Sequence, residues 1–280
     1  MALVTALPLR AETIQMWSFL DPAGDGIRSE LVKRIIDRFE AEHPGDKVEV
    51  NVIQWTELGS QLLRADRAGD VPDVMMLYSP YMQAQIAAGT LMPLDGGMKD
   101  WSQADKDDVI ALSIAHGADG ALYGLPWELR AYGYVYRSDL YKAAGLEAPK
   151  TVDEMVSQLK QLMTPDRQGL AISFNPATST AAIEWVLPMV LSLGGTVLND
   201  DGSAHFQTPE MVRVLKLVDG LVRDSGVLTL ETALSSSDDA QNLTIAGKAV
   251  AHAQGSHRLS TIQNKSQDGA TFRFAPVPQV

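Results

Sequence analysis

The chain has 280 residues, of which 45% are apolar and 21% charged, and its formal net charge at pH 7 is -12. This length and composition are typical of a soluble globular protein with one large domain or two smaller ones, and they exclude a largely disordered chain. The negative charge argues against a nucleic-acid partner, because phosphate binding requires clustered Lys and Arg. The absence of cysteine excludes disulfides and thiolate metal sites.

The first eleven residues, MALVTALPLRA, are apolar and end in a small residue directly before Glu12. They are similar to the last part of a secretory signal peptide cleaved after Ala11, although the usual positively charged start is missing. The alternative is an N-terminal extension that does not pack on the rest of the protein. No other run approaches the ~18 apolar residues of a membrane-spanning helix, so we expect no transmembrane segment.

From Thr13 onward, the first half of the chain predicts strands and helices in alternation. In chain order, the patterns predict a strand at 13–16, a helix over 27–39, a strand at 48–52, a helix from 58 that ends at Gly69, and a buried strand at 74–77. This β-α-β-α-β succession favours a parallel sheet covered by helices on both faces.

The second half repeats this alternation with its own start and stop signals. Thr151 and Glu154 match a capping box, in which the two side chains satisfy free amides at the start of a helix. Helical patterns follow over 178–193 and 209–224. Residues 199–202, NDDG, predict a turn that could belong to a hairpin.

Several short segments carry a resemblance to a known family, and the longest covers residues 123–155. The others are EHPGDKVEV at 42–50, GDVPDV at 69–74, GTLMPL at 89–94, YRSDLYKAAGL at 136–146, the Thr-Pro pair at 208–209 and GKAVAHAQGSH at 247–257. Their order and spacing resemble those of the extracellular solute-binding proteins of ABC importers, in the carbohydrate-binding branch (family 1, the maltose- and sugar-binding type). Arg137 stands where that family usually has Asn.

The resemblance implies an α/β fold with two lobes, the periplasmic binding protein fold, in which each lobe is a mostly parallel sheet flanked by helices. We assign residues 1–11 to a signal peptide remnant, 12–128 to the first lobe and 129–280 to the second. No Gly- or Pro-rich linker marks the boundary, so we expect strands to connect the lobes near residues 128–133. Family members continue beyond the segment that FAPVPQV at 274–280 resembles, which implies that the C-terminal portion is missing and both lobes are incomplete.

Sugar recognition needs flat apolar surfaces for the C–H faces of the ring and planar polar groups for its hydroxyls. The resemblance places such groups in a cleft between the lobes. The implied ligand-binding residues are Trp17, Ser18 and Phe19 after the first strand, Tyr78, Ser79 and Tyr81 after GDVPDV, Trp127, Glu128 and Arg130 at the lobe crossing, Asn175 in the second lobe, and Gly255, Ser256 and His257 in the late turn.

The aromatic candidates have different alternatives. Trp17 directly follows a predicted strand and could belong to the core instead. Tyr78 and Tyr81 flank a proline in a predicted loop, where ligand contact explains aromatic residues better than packing does. Trp185 lies in a helical pattern among apolar residues, so we interpret it as a core residue.

The polar candidates leave two interpretations open. Glu128 and Arg130 are two residues apart on a predicted strand, which would place both side chains on one face. They either pair with each other at the surface or share a ligand. His257 stands where the family frequently has an aromatic residue, often Trp, at the end of the late turn, so this chain lacks that ring for stacking on a sugar.

The sequence contains no strong motif for metal binding, nucleotide binding or catalysis. The five histidines show no metal-ligand spacing, and neither an HExxH nor an EF-hand pattern occurs. Dinucleotide and phosphate loops and a GxSxG motif are also absent. The acidic run at 105–108 is typical of a solvated helix face. We therefore expect no metal, no cofactor and no enzymatic activity.

The predicted function is the substrate-binding component of an ABC transporter. It captures a sugar or related polyol, closes by hinge bending and delivers the ligand to membrane permease subunits. We expect a freely soluble periplasmic protein, since the chain has no cysteine for lipid attachment, and we expect it to be a monomer. Two alternatives remain: a glycoside hydrolase, for which Glu128 has no obvious partner carboxylate, and a binding protein for an anionic ligand such as a sugar phosphate, held through Arg130.

Overall fold

The computed structural model describes residues 12–177, 181–266 and 269–280. These residues form two compact units, an N-terminal unit that ends at Leu129 and a C-terminal unit that begins at Arg130. The predicted signal peptide remnant at 1–11 lies outside the described residues. Among the described residues, no helix combines the length and the apolar character that crossing a membrane requires.

The N-terminal unit is an α/β unit built on a parallel sheet. Its elements are β1 (Thr13–Ser18), α1 (Ile27–Glu42), β2 (Lys47–Val52), α2 (Leu58–Ala68), β3 (Val74–Met75), α3 (Met82–Ala88) and α4 (Gln103–Asp108), with 3-10 turns at Ser79–Tyr81, Asp95–Met98 and Leu112–Ala115. The strand order is β2-β1-β3, and β1 runs parallel to both neighbours. The predicted β-α-β-α-β succession and the parallel pairing are thus confirmed.

The last strand of this sheet differs from its prediction. We expected a buried strand at 74–77, but β3 contains only Val74 and Met75, and Val74 is 51% exposed. Among the described strands, β3 lies at the edge of the sheet. Its two residues, Val74 and Met75, pair with Met16 and Trp17 of β1. An apolar pattern does not distinguish such an edge strand from a central one.

Two helix boundaries in this unit follow from local chemistry. Gly69 ends α2 in the left-handed conformation with φ of 71°, which glycine adopts without strain. Ser102 and Asp105 form a capping box at the start of α4, where the hydroxyl of Ser102 accepts from the Asp105 amide at 3.1 Å. The acidic residues of α4 are exposed, as the sequence predicts for a solvated face.

The C-terminal unit contains a mixed sheet surrounded by more helices. Its elements are β4 (Tyr132–Arg137), α5 (Ser138–Ala143), α6 (Val152–Leu162), β5 (Gln168–Ala171), a π-helical turn (Ala182–Val186), α7 (Leu187–Ser192), α8 (Pro209–Arg223), α9 (Leu230–Leu234), α10 (Ser237–Ile245), β6 (Ala249–Gly255), a 3-10 turn (Ser256–Arg258), α11 (Leu259–Lys265) and β7 (Phe272–Ala275). The strand order is β5-β6-β4-β7.

The strand directions in this sheet correct one part of the predicted fold. β5 and β6 are parallel, whereas β4 runs antiparallel to both β6 and β7. The expectation of a mostly parallel sheet in each lobe therefore holds for the N-terminal unit and is wrong for the C-terminal one. Buried strands carry similar apolar runs in either direction, so the sequence pattern does not reveal the pairing.

The C-terminal unit has the larger core of the two. Trp185 is 1% exposed and packs in one cluster with Tyr134, Met155 and Leu170, which are fully buried. This burial confirms the interpretation of Trp185 as a core residue. Trp185 lies in the π-helical turn that precedes α7, and residues 178–180 of the predicted helix lie outside the described residues.

Two local predictions in the C-terminal unit are also confirmed. The hydroxyl of Thr151 accepts from the Glu154 amide at 3.2 Å, and Glu154 accepts from the Thr151 amide at 3.4 Å, which completes the capping box of α6. Residues 199–202 form the predicted turn, with Gly202 at φ of 79°. Its flanks meet in a single antiparallel bridge between Leu198 and Ala204.

Candidate functional site

Aromatic residues follow each strand of the parallel sheet in the N-terminal unit. Phe19 directly follows β1, Trp55 lies three residues beyond β2, and Tyr78 lies three residues beyond β3. Because the carboxyl ends of parallel strands meet at one edge of a sheet, these loops leave the same edge. In open α/β sheets, ligands bind outside this edge.

Tyr78 touches two other aromatic side chains, Trp55 and Tyr81. The ring centroids of Trp55 and Tyr78 are 5.4 Å apart, and those of Tyr78 and Tyr81 are 5.6 Å apart, both in an edge-to-face arrangement. All three residues are half-buried, so part of their surface reaches solvent. Such rings offer the flat apolar surface that a sugar ring requires.

Trp55 was not among the sequence-predicted site residues. The available signal was its place in the turn between β2 and α2, at the same sheet edge as Phe19 and Tyr78. Of the other candidates in this region, Tyr78 and Tyr81 belong to the aromatic group. Ser79 lies exposed on the 3-10 turn between them.

A second group at this unit is centred on Arg28, the second residue of α1. Its Nε donates to Oε2 of Glu128 at 2.9 Å, and its Nη2 donates to Oε1 at 2.6 Å. The guanidinium also lies 5.5 Å from the ring centroid of Phe19 and 5.9 Å from that of Trp127. One cation therefore holds together two aromatic rings and a carboxylate.

The position of Glu128 changes one sequence-based expectation. Residues 124–131 are not in a strand, and β4 begins only at Tyr132. The argument that Glu128 and Arg130 share one face of a strand is therefore wrong. The sequence also gave no indication of Arg28, because its partner Glu128 is 100 residues away in the chain.

Trp17 and Ser18 were predicted to lie in the loop after the first strand, but the structure places them elsewhere. Both belong to β1, and only Phe19 lies in the loop after it. The Ser18 side chain is fully buried, where its hydroxyl donates to the carbonyl of Leu20 at 2.8 Å and accepts from the Leu20 amide at 2.9 Å. Ser18 thus stabilises the turn that carries Phe19, while Trp17 is half-buried within the strand.

In the C-terminal unit, the polar atoms of Asn175 bind the backbone. Its Nδ2 donates to the carbonyl of Leu234 at 3.1 Å, and its Oδ1 accepts from the Ala177 amide at 3.0 Å. These bonds stabilise the segment that follows β5. Arg130 opens this unit, two residues before β4 begins.

The predicted late turn begins where β6 ends, at Gly255. A Cβ atom at Gly255 would lie 2.5 Å from Nδ1 of His257 and 3.0 Å from the ring of Tyr132, so only glycine fits without displacing these rings. The amide of Ser256 donates to the carbonyl of Ala131 at 2.7 Å. Its hydroxyl accepts from the Ala131 amide at 3.3 Å. These bonds fix the turn against the chain that enters β4.

Behind this turn lies a buried histidine on β6. Nδ1 of His252 is 2.9 Å from the carbonyl oxygen of Ala171, and burial, reinforced by the nearby charge of Arg258, lowers the pKa of His252 to about 3. Nη1 of Arg258 donates to Asp238 at 2.7 Å and to Gln241 at 2.8 Å. Arg258 therefore connects the turn to α10.

The site residues thus form groups within each unit. In the N-terminal unit, Phe19, Trp127 and Glu128 meet through Arg28, and Tyr78 and Tyr81 meet each other. In the C-terminal unit, Gly255, Ser256 and His257 form one turn. The described residues contain no group of three or more His, Cys, Asp or Glu side chains able to hold a metal ion.

A comparison with protein families matches residues 24–280 to the bacterial extracellular solute-binding proteins. The chain belongs to this family. A putative binding protein of Brucella abortus (strain 2308) is 26% identical over 212 residues, which are 75% of this chain and 50% of the relative. The putative ABC transporter periplasmic-binding protein YcjN of Escherichia coli (strain K12) is 23% identical over 230 residues, 76% of this chain and 50% of YcjN.

Solved structures of similar proteins confirm the fold. An ABC transporter solute-binding protein of Thermotoga lettingae bound with α-D-tagatose superimposes with a TM-score of 0.81 at 22% identity, covering 96% of this chain and 69% of that one. A solute-binding protein of Agrobacterium radiobacter K84 in complex with ribitol superimposes with a TM-score of 0.78 at 23% identity. This alignment covers 97% of this chain and 68% of that one. The two-lobe α/β fold of periplasmic binding proteins is therefore confirmed. The chain spans about half the length of the curated relatives it matches.

Proposed function

We propose that this chain is the substrate-binding component of an ABC importer and that it binds a sugar or related polyol. The observation that carries this proposal is the group of Trp127, Glu128, Arg28 and Phe19 in the N-terminal unit. Trp127 remains 39% exposed although Arg28 lies against its ring. An exposed indole beside a planar charged pair supplies the two surfaces that a sugar requires, one for C–H groups and one for hydroxyls.

The aromatic group of Trp55, Tyr78 and Tyr81 supports the same ligand class. Its rings follow β2 and β3 of the sheet whose β1 leads into Phe19, so both groups use the carboxyl edge of these strands. The solute-binding proteins of similar fold were solved with tagatose, ribitol and maltose. We extend that class of polyhydroxylated ligand to this chain.

We further propose that ligand binding is coupled to hinge closure of the two-lobe fold and that the closed form presents the loaded protein to membrane permease subunits. If the hinge closes when the ligand binds, the loaded and the empty protein differ in conformation. A transporter can then distinguish between them. The family is extracellular, and we place this member in the periplasm as a monomer. In this proposal Arg130, Asn175 and the turn at 255–257 are the ligand-binding candidates of the C-terminal unit.

The proposed role is binding without chemical change of the ligand. A glycoside hydrolase needs two carboxyl groups on either side of the scissile bond, one of them free to transfer a proton. Both oxygens of Glu128 instead accept hydrogen bonds from Arg28. This engagement suits a fixed hydrogen-bonding surface better than an acid catalyst.

The test is calorimetric titration of the 280-residue protein with D-tagatose, ribitol, D-mannitol and maltose, with tryptophan fluorescence recorded in parallel. We expect at least one ligand to bind and to change the fluorescence. Trp127→Ala should weaken that binding by about tenfold or more, since stacking on the indole is lost. The matched control is Trp101→Ala, because Trp101 is 37% exposed in the same unit without a described contact to Arg28 or Glu128.

Two results would count against this proposal. One is the absence of binding to every member of the panel at millimolar concentration. The other is an equal loss of affinity in the Trp101 and Trp127 variants, which would indicate a general effect on the unit instead of a contact with the ligand.

A further inference from the structure

We propose that the ion pair between Arg28 and Glu128 makes the site selective for uncharged polyhydroxylated ligands and excludes anionic and cationic analogues of the same skeleton. This inference rests on the proposed function of the site and specifies its ligand class. Arg28 thereby becomes a specificity-determining residue.

The geometry of the pair is the first step. Arg28 and Glu128 form two roughly parallel hydrogen bonds, of 2.9 and 2.6 Å, between the guanidinium fork and the carboxylate. Charge-assisted hydrogen bonds of this kind are roughly twice as strong as neutral ones, and the bidentate arrangement also fixes the geometry of the two side chains. A carboxylate on a ligand would have to compete with Glu128 for the guanidinium, and an ammonium group would have to compete with Arg28.

The burial of the pair is the second step. The side chains of Arg28 and Glu128 are 26% and 21% exposed, whereas those of the surface pair between Lys33 and Asp37 are both 58% exposed. Partial removal from water strengthens the attraction between the charges, and replacing one partner takes this attraction away from the charge that remains. Replacing one partner should therefore create a site for a ligand of the opposite charge to the one that remains.

The position of the pair beside Trp127 is the third step. The guanidinium lies 5.9 Å from the Trp127 ring centroid, so a ligand stacked on the exposed part of this indole lies within reach of the pair. A guanidinium has five N–H donors, and Glu128 accepts from two of its nitrogens. The remaining donors can bind ligand hydroxyls without separating the two charges, which a neutral ligand allows and a charged one does not.

The experiment uses matched ligands that differ only in charge. For the mannitol, ribitol and glucose skeletons, binding is measured for the neutral compound, for a form with one terminal carboxylate and for a form with one amino group. The proteins are the 280-residue chain, Glu128→Gln, Arg28→Gln and the double variant. Measurements at about 0.15 M salt screen the charge of the rest of the surface, because the Debye length is then about 8 Å.

We expect the unmodified protein to bind its neutral ligand at least tenfold more tightly than either charged form. Glu128→Gln should raise the affinity for the carboxylate form by about tenfold, and Arg28→Gln should do the same for the amino form, since one charged hydrogen bond is gained in each case. The double variant should show neither gain, because no charge remains.

The controls separate the local pair from the net charge of the protein. Asp37→Asn and Lys33→Gln change the net charge by the same amounts at an exposed pair, and both should leave the affinities within twofold of those of the unmodified protein. The inference is wrong if the carboxylate or the amino form binds the unmodified protein as tightly as the neutral compound. It is also wrong if folded single variants show no shift between the charged forms.

The failure of this inference differs from the failure of the proposed function. If no neutral compound binds, the proposed function fails and the inference fails with it. If a neutral compound binds without discrimination against its charged forms, only the inference fails. Circular dichroism identifies single variants that do not fold, and the ratio of affinities in the unmodified protein then decides the question.

Discussion

The two units use their aromatic residues in different ways. In the C-terminal unit, Trp185 and Tyr134 are buried in the core, at 1% and 0% exposed. In the N-terminal unit, Trp127 is 39% exposed, and α1 leaves Ile27 and Ile35 exposed at 67% and 61%. The C-terminal unit also exposes apolar side chains, among them Phe206 at 58%, so the units differ in where their tryptophans lie: Trp185 stabilises a core, whereas Trp127 presents part of its ring at the surface, where a ligand can reach it.

The candidate residues of the two units also differ in kind. The N-terminal unit supplies side chains, namely the rings of Phe19 and Trp127 and the charges of Arg28 and Glu128. The C-terminal unit supplies a turn whose shape depends on a glycine at 255 and on backbone hydrogen bonds to Ala131. Substitutions in the first unit should therefore affect ligand binding more than stability, and core substitutions in the second should do the reverse.

The largest effect on stability is expected for Trp185→Ala. Removing a fully buried indole deletes its apolar contacts and leaves a cavity, which costs about 3–5 kcal/mol of the free energy of unfolding. The measurement is urea unfolding followed by far-UV circular dichroism. The comparison between the units is contradicted if Trp185→Ala costs less than about 1 kcal/mol.

Two variants serve as controls for this prediction. Trp127→Ala removes the same side chain from an exposed position and should cost less than about 1 kcal/mol. Trp185→Phe keeps most of the buried ring and also removes an indole N–H that has no hydrogen-bond partner among the described residues. It should therefore cost clearly less than Trp185→Ala.

An intermediate effect, dependent on pH, is expected for His252→Asn. In the folded protein the pKa of His252 is lowered to about 3, chiefly because the ring is buried, whereas its ordinary value is 6.5. Between these two values the unfolded chain binds a proton that the folded protein does not bind. Stability therefore falls as the pH falls, by at most about 1.4 kcal/mol for each pH unit.

The variant removes this titration and retains one hydrogen bond, because the side-chain amide of Asn can donate to the carbonyl of Ala171 in place of Nδ1. Between pH 7 and pH 5, the free energy of unfolding of the unmodified protein should drop by up to about 2 kcal/mol more than that of the variant. Urea unfolding at several pH values measures this difference. Parallel curves for the unmodified protein and His252→Asn would refute the prediction.

Local signals in the sequence predicted much of the fold. The alternating valines of β2, the glycine that ends α2 and the capping box at Thr151 each depend on neighbouring residues alone, and the structure confirms all of them. The direction of β4 relative to β6 and β7 depends on how distant segments meet. An apolar run carries no information about this, which is why the mixed sheet was missed.

The candidate site was predictable only in part, for a similar reason. Tyr78 and Trp127 stand in recognisable segments, so resemblance to the family was enough to select them. Arg28 pairs with Glu128 across 100 residues, and Trp55 gains its significance from the sheet edge that it shares with Tyr78. Arg28 and Trp55 could therefore be identified as site candidates only from the three-dimensional structure.

The smallest effects are expected at the capping boxes, and they compare the units most directly. Thr151→Ala and Ser102→Ala remove the same kind of cap, which contributes about 1 kcal/mol to a helix. The helix α6 buries Met155 and Leu159 in the core, whereas α4 has no buried residue. The loss at Thr151 should therefore appear in the global free energy of unfolding, at about 1 kcal/mol, whereas the loss at Ser102 should stay within α4.

Hydrogen exchange distinguishes the two outcomes. Ser102→Ala should accelerate exchange of the first amides of α4 while the urea midpoint of the protein changes little, because an exposed helix can open without disturbing the core. Thr151→Ser is the matched control, since serine retains the hydroxyl that caps α6 and should recover most of the lost stability. Equal losses of global stability in Ser102→Ala and Thr151→Ala would show that α4 is as tightly coupled to its unit as α6, which its exposed surface argues against.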